Sequence, residues 1–467
     1  MPSASRLPWR LALPLIAFVS VPFTLPLLLR HSSSTSSQAP SLLRINWLPP
    51  LLPRVPSPPP SAPETTAGTA PPPPPPTQTS PSPPPPSLPP PKTGETETER
   101  CDVYDGEWVR DEESRPLYAP GTCPYVDEAY ACAANGRPDA GYTRWRWAPR
   151  HCSLPRYQPN QHVAFATSAA RTSARFNATD FLARLRGKRL MLVGDSMNRN
   201  QFESMLCILR EALPDKTRMF ETHGYRITKG RGYFVFKFLD YDCTVEFVRS
   251  HFLVREGVRF NKKGNSNPIL QIDRIDKTAN RWKKADVLVF NTGHWWTHGK
   301  TARGKNYYKE GDRLYPQFDS TEAYRRALKT WARWIDKNMD PATSVVFYRG
   351  YSTAHFRGGD WDSGGSCHGE TEPTFKGAII DSYPLKMRIA EEAIGQMRFP
   401  VRLLNVTRLT NFRRDGHPSV YGKAQAMVSK RKQDCSHWCL PGVPDVWNEL
   451  IYASLVLEPK PRSWKQR

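Results

Sequence analysis

The stretch Leu190-Met-Leu-Val-Gly-Asp-Ser-Met-Asn-Arg-Asn-Gln201 sets the fold class. Its apolar start is a strand with both faces buried, and the polar residues after it begin a helix on which Phe202, Met205, Leu206 and Leu209 recur at i, i+3, i+4 and i+7. Further short apolar or β-branched runs lie at Tyr233 to Phe238, Thr244 to Val248, Val287 to Phe290, Ser344 to Tyr348 and Val401 to Asn405. Tyr324, Leu328, Trp331 and Ile335 line one face of another helix, which opens on the capping box Asp319-Ser-Thr-Glu322. Apolar strands alternating with amphipathic helices predict an α/β domain with a mostly parallel central sheet between two helical layers.

Ligands gather beyond the carboxyl ends of such strands. After three of the apolar runs come Gly194-Asp-Ser196, Asn291-Thr-Gly-His-Trp-Trp296, and Arg349-Gly350 leading to a glycine-rich loop that ends at Cys367. Gly194 allows a tight turn, and Ser196 sits at a helix start whose unsatisfied N–H groups face any oxyanion formed when its hydroxyl attacks a carbonyl. A serine hydroxyl needs a base to take its proton. Asp434-Cys-Ser-His437 offers a histidine whose Nδ1 can be held by a carboxylate three residues earlier, leaving Nε2 for Ser196. Taken alone, Gly-Asp-Ser is equally well read as a helix cap.

Outside this body the chain changes character. Of 47 prolines, 28 fall in residues 1 to 100, too many for a packed core. Leu11 to Leu29 is an uncharged stretch bounded by Arg10 and Arg30. It spans about 28 Å as a helix, close to a roughly 30 Å hydrocarbon layer. We read residues 1–10 as a cytoplasmic tail and 11–29 as a transmembrane signal anchor, with a cleaved signal peptide as the alternative. Residues 30–100, rich in Pro, Ser and Thr, read as a disordered lumenal stalk of polyproline II character. Residues 101–157 hold four cysteines and three tryptophans, the pattern of a small disulfide-stapled subdomain, and 158–459 the catalytic domain.

None of the nine cysteines has zinc-ribbon spacing, so no metal site is expected. Disulfides in an oxidising lumen are the expected use of Cys101, Cys123, Cys132, Cys152, Cys207, Cys367, Cys435 and Cys439, with Cys243 left over. Asn177-Ala-Thr179 and Asn405-Val-Thr407 are glycosylation sequons. The net charge of +22 favours a polyanionic partner. In this compartment that partner is an acidic polysaccharide and not nucleic acid.

The words Gly194-Asp-Ser-Met-x-Arg-Asn-Gln201, Asn291-Thr-Gly-His-Trp-Trp296, Gly358-Gly-Asp-Trp361, Ser363-Gly-Gly-Ser-Cys367 and Asp434-Cys-Ser-His-Trp-Cys439 resemble the plant trichome birefringence-like family. The segment with Trp108-Val-Arg-Asp111 and Pro116-Leu-Tyr118 is similar to that family's cysteine-rich N-terminal domain, so the resemblance runs from Cys101 to about Leu457. It implies a three-layer SGNH/GDSL-like esterase fold and a Golgi type II membrane enzyme that O-acetylates cell-wall polysaccharides. It also implies Ser196 as nucleophile, His437 as general base and Asp434 as its orienting partner, with Gly194 and Asp195 completing the motif. Asn291 joins the Ser196 N–H as an oxyanion candidate, with a strand-capping amide as the equal alternative. Arg199 is a candidate to bind substrate or to brace the site, and Trp295 and Trp296 are candidates to stack on sugar rings, with core packing the expected role of at least one.

No cofactor is expected to be resident. The reaction requires an acetyl donor, acetyl-CoA or an acetylated intermediate, and other Golgi acetylation components are possible partners. Pectin or xylan is the expected acceptor. A triad alone equally suits an esterase removing acetyl or methyl groups, and the charge alone equally suits a non-enzymatic pectin-binding protein that bridges wall polymers.

Overall fold

The computed structural model describes residues 102–154, 176–375, 383–424 and 433–458. The expected anchor, stalk and Cys101 lie outside the described residues, and among the described residues no helix is long and apolar enough to cross a membrane.

The chain opens with β1 (Gly106–Arg110) and β2 (Trp145–Pro149), which pair antiparallel. Then come α1 (Ala178–Arg184), β3 (Arg189–Gly194), α2 (Ser196–Glu211), β4 (Met219–Glu221), β5 (Tyr233–Phe238) and β6 (Cys243–Arg249). The middle of the chain forms β7 (Val254–Phe260), β8 (Ser266–Ile275), α3 (Ala279–Trp282), β9 (Val287–Phe290), β10 (Tyr308–Glu310), β11 (Arg313–Leu314), α4 (Ser320–Asn338) and β12 (Val345–Arg349). The last elements are α5 (Leu385–Gly395), β13 (Arg402–Leu404), α6 (Thr407–Asn411) and α7 (Val443–Leu457).

Seven strands form the central sheet in the order β13-β12-β9-β3-β6-β5-β4. From β13 to β6 the neighbours run parallel, whereas β5 and β4 extend the β6 edge antiparallel. The two-residue alternation of side chains, with both faces covered, explains why β3, β9 and β12 read as nearly unbroken apolar runs. Leu190 and Leu192 of β3 point into a core shared with α1, α2 and α7, while Met191 and Val193 point into a second core shared with α3, α4 and α5. Asp319 caps α4 as its sequence predicts, accepting from the N–H groups of Thr321 and Glu322 at 2.9 Å. A second, four-stranded sheet (β11-β10-β8-β7) was not foreseen. Its β7 buries Val254 but leaves Arg255, Glu256, Val258 and Phe260 exposed, and so carries no continuous apolar signal.

The cysteine-rich segment expected at residues 101–157 is stapled by disulfides to the body that follows it. Trp108 and Trp147 lie in the same core as α2 and α7, and the Trp108 indole N–H donates to the Leu409 carbonyl at 2.8 Å. Cys123 is joined to Cys207 on α2, and Cys132 to Cys439 beside His437. Cys152 is also disulfide-bonded. A segment this poor in regular structure gains its order from the body it is bonded to, and in return it fixes two pieces of that body.

Candidate active site

Gly194 ends β3 and Asp195 caps α2, its Oδ1 accepting from Met197 N–H at 2.9 Å. The same carboxylate oxygen accepts from Asn291 Nδ2 at 2.8 Å, and Asn291 Oδ1 accepts from Asp195 N–H at 3.2 Å. Asn291 is thus a reciprocal brace on the nucleophile turn, with its amide turned toward Asp195. Gly194 is demanded by space: a Cβ there would lie 1.9 Å from Asn291 Oδ1 and 2.7 Å from the Asn291 carbonyl oxygen. Gly194→Ala is therefore expected to displace the turn and lower turnover by 10²-fold or more, since about 1 Å of misplacement has that effect. Ester turnover measured beside far-UV circular dichroism checks this: a folded variant with unchanged turnover would contradict it.

Ser196 is the first residue of α2 and is partly exposed. Its Oγ lies 2.7 Å from His437 Nε2, although 241 residues separate the two. His437 Nδ1 faces both Asp434 oxygens, at 2.8 and 3.1 Å. Burial alone would push the Asp434 carboxyl up. The facing His437 and hydrogen bonds from the His437 ring and from the backbone N–H groups of His437 and Ser436 outweigh it and hold the group well below the usual carboxylate range. Asp434 therefore stays ionised and fixes the tautomer with its proton on Nδ1, leaving the Nε2 lone pair toward Ser196.

The loop carrying these residues is clamped at both ends. Cys435 is bonded to Cys367 and Cys439 to Cys132. Between them the Trp438 N–H donates to Asn200 Oδ1 at 2.9 Å, and the His417 ring stacks on Trp438 with centroids 4.1 Å apart. His417 Nδ1 donates to the His437 carbonyl at 2.6 Å. Burial pushes His417 well below its ordinary pKa, which favours the neutral ring this contact uses.

The substrate-binding candidates divide. Arg199 is buried and is no surface contact: its guanidinium holds Asp127 at 3.1 Å, Glu203 at 2.9 Å and the Tyr130 hydroxyl at 2.9 Å. Tyr130 in turn lies against the His437 ring, with centroids 5.4 Å apart. The Arg199–Glu203 spacing of four on α2 was the available signal, since it puts both on one helix face. Burial pushes the Glu203 carboxyl up to about 8 despite Arg199. Arg199→Ala should cost about 2 to 3 kcal/mol, the usual effect of leaving buried polar groups without their hydrogen-bond partner. Denaturant unfolding reads that loss directly, and a cost below about 1 kcal/mol would contradict the bracing role.

Trp296 is likewise buried, packed on Phe252 and Tyr324, and its indole N–H donates to Thr292 Oγ1. Trp295 remains partly exposed against His251, with centroids 4.0 Å apart, and keeps its candidacy. One residue of the same motif was passed over. His294 Nε2 donates to the Ser352 carbonyl at 2.8 Å, its Nδ1 lies 4.0 Å from Asp195 Oδ2, and burial lowers its pKa to about 4. It backs the nucleophile turn as a neutral ring stacked on Tyr351.

Asn177 caps α1 through Asp180 N–H, and the Asn405 amide donates to the Tyr383 hydroxyl. Cys243 is a free, buried thiol.

Residues 174–454 match the family model described as "GDSL/SGNH-like Acyl-Esterase family found in Pmr5 and Cas1p", and residues 99–153 match the "PMR5 N terminal Domain". The chain is 49% identical over 370 residues to "Protein trichome birefringence-like 6" of Arabidopsis thaliana, covering 78% of itself and 72% of that relative. The chain belongs to the trichome birefringence-like family. It is also 46% identical over 372 residues to "Protein trichome birefringence" of the same plant, matching 79% of itself but only 58% of that longer protein. The trichome birefringence-like membership and the acyl-esterase model place this chain in an SGNH-like α/β class of acyl-transferring or ester-cleaving enzymes.

Proposed function

We propose that the protein transfers acetyl groups to hydroxyls of a plant cell-wall polysaccharide by double displacement at Ser196. The observation that carries this is the aligned set Ser196 Oγ, His437 Nε2 and Asp434, with contacts of 2.7 and 2.8 Å. Ser196 Oγ attacks the donor's acyl carbonyl while its proton passes to His437 Nε2. The tetrahedral oxyanion lies at the α2 N-terminus, facing the Ser196 N–H, while Asn291 holds the turn through Asp195. Collapse expels the donor's leaving group, which takes the proton, and leaves acyl-Ser196. A sugar hydroxyl then gives its proton to Nε2 and attacks the acyl carbon, and Ser196 departs and regains the proton.

The donor is proposed to be acetyl-CoA or an acetylated intermediate, with other Golgi acetylation components as partners. The setting is proposed to be the Golgi lumen, with residues 11–29 as anchor and Asn177 and Asn405 glycosylated. Support comes from the formed disulfides, which suit an oxidising compartment.

The test supplies the full chain in detergent with a labelled acetyl donor and separate xylan, mannan and pectin oligosaccharides. Expected are label on Ser196 by peptide mass and then on the sugar. Label released solely as acetate would make the enzyme an esterase, and label on neither would leave the polymer-binding reading.

A further inference from the structure

A groove of about 690 Å³ opens beside the nucleophile turn at the same edge of the central sheet. Its position follows from strand register. Arg249, at the end of β6, is the parallel partner of Gly194, and Ser250 N–H donates to the Gly194 carbonyl at 2.8 Å. Tyr233, at the start of β5, pairs with Val248. The groove wall therefore begins one strand from the Gly194 end of β3 and continues across the next, about 5 to 10 Å from that strand end at ordinary strand spacing. His251, on the groove, stacks on Trp295, which belongs to the loop bearing Asn291. Groove and nucleophile thus share one continuous rim.

The lining has a specific chemistry. Arg231 lies over the Tyr225 ring at 3.3 Å and Arg281 over the Tyr233 ring at 4.5 Å. A guanidinium laid flat on an aromatic ring keeps its edge N–H donors open and loses little freedom on binding, the arrangement suited to a carboxylate. Among the described residues Arg231, Arg281 and Lys277 form no ion pair, and all three are exposed. The two carboxylates on the lining are already engaged: Glu256 with His251 Nδ1 at 3.0 Å, and Asp276 with the Thr278 N–H and hydroxyl. Arg249 is engaged too, donating to the carbonyls of Lys229 and Gly230 and so shaping the loop that presents Arg231.

We propose that this groove is an acceptor subsite for a uronic-acid unit of the polysaccharide, with Arg231 and Arg281 binding its carboxylate. The inference rests on the acetyl-transfer reading for the identity of the chain that enters, and it names the acidic sugar as the class selected. A donor bearing a pyrophosphate is the competing polyanion. The groove offers it no cradle of backbone N–H groups, because the Lys229-Gly-Arg-Gly232 loop turns two carbonyls inward to Arg249.

Direct binding tests the proposal without chemistry. The full-length Ser196→Ala protein is titrated with oligogalacturonides, with the same oligomers fully methyl-esterified, with xylo-oligosaccharides and with CoA. Expected is binding of the acidic oligomer that weakens tenfold or more on methyl esterification, weakens again with salt, and weakens tenfold or more in Arg231→Met/Arg281→Met. Lys277→Met, a milder change, should weaken it by a smaller factor, and melting curves check that each variant is folded. Equal affinity for acidic and esterified oligomers, or an unchanged double variant, overturns the subsite. CoA binding lost in the double variant while acidic oligomers never bind assigns the groove to the donor and overturns it as well. Failure of the acetyl-transfer reading is separate: it appears with the wild-type protein as label released solely as acetate, or as label on neither Ser196 nor sugar, whatever the groove binds.

Discussion

Ser196→Ala, His437→Ala and the double variant should each lower turnover by about 10⁴-fold or more, and by nearly the same factor. Additive losses are not expected, because His437 has one function in the first half-reaction, to take the proton of Ser196, and without either partner the step has no activated nucleophile. The 2.7 Å contact between them brings the base directly onto that hydroxyl. Asp434→Asn should be milder than His437→Ala yet still severe. It keeps the contacts to the loop backbone but replaces the carboxylate that fixes the imidazole's tautomer and stabilises the imidazolium. Single-turnover acylation of Ser196 measures the first step alone. If the double variant proved worse than either single variant by the product of their losses, the two residues would be acting independently and the triad reading would fail. All these variants should melt within a few degrees of wild type, because none removes a core side chain.

What the sequence disclosed and what it withheld follow from the range of the interactions. The parallel strands β3, β9 and β12 were legible because a strand covered on both faces is apolar along nearly its whole length, as in Leu190-Met-Leu-Val193 and Val287-Leu-Val-Phe290. Ser196, Asp434 and His437 were legible as chemistry, since a hydroxyl at a strand-to-helix turn and a carboxylate three before a histidine have local meaning. Which of two roles Arg199 takes, substrate contact or brace, was not legible because its partners are distributed: Glu203 is one helical turn away, but Asp127 and Tyr130 come from the cysteine-rich segment. Trp295 and Trp296 were indistinguishable as neighbours, and only the placement of Phe252 and Tyr324 sends one inside. The second sheet escaped because β7 faces solvent along one side. Disulfide pairing cannot be read from spacing, and the two bridges that tie the N-terminal segment to the body span 84 and 307 residues.

The longer of those bridges is where fold and site meet. Removing it as Cys132→Ala/Cys439→Ala should destabilise the protein by roughly 5 kcal/mol, the loop-closure entropy returned to an unfolded chain when a link of that length is cut. The remaining bridges shorten the effective loop, but the dependence on length is logarithmic and the value changes little. Cys367→Ala/Cys435→Ala closes a loop of only 68 residues and should cost about 1 kcal/mol less. Denaturant unfolding of both pairs tests the difference. Activity should fall as well, and for a local reason: Cys439 lies two residues from His437, so the bridge to Cys132 holds the base against the segment that also supplies Tyr130. Without it, the His437 loop keeps its hold through Trp438 on Asn200 and His417, but loses its covalent anchor on the C-terminal side. The expected signature is a fall in single-turnover acylation at temperatures well below the melting point, reaching tenfold or more. Were acylation to remain at the wild-type rate until the protein unfolds, the bridge would serve stability alone, and the placement of His437 would have to be credited to the packing of Trp438.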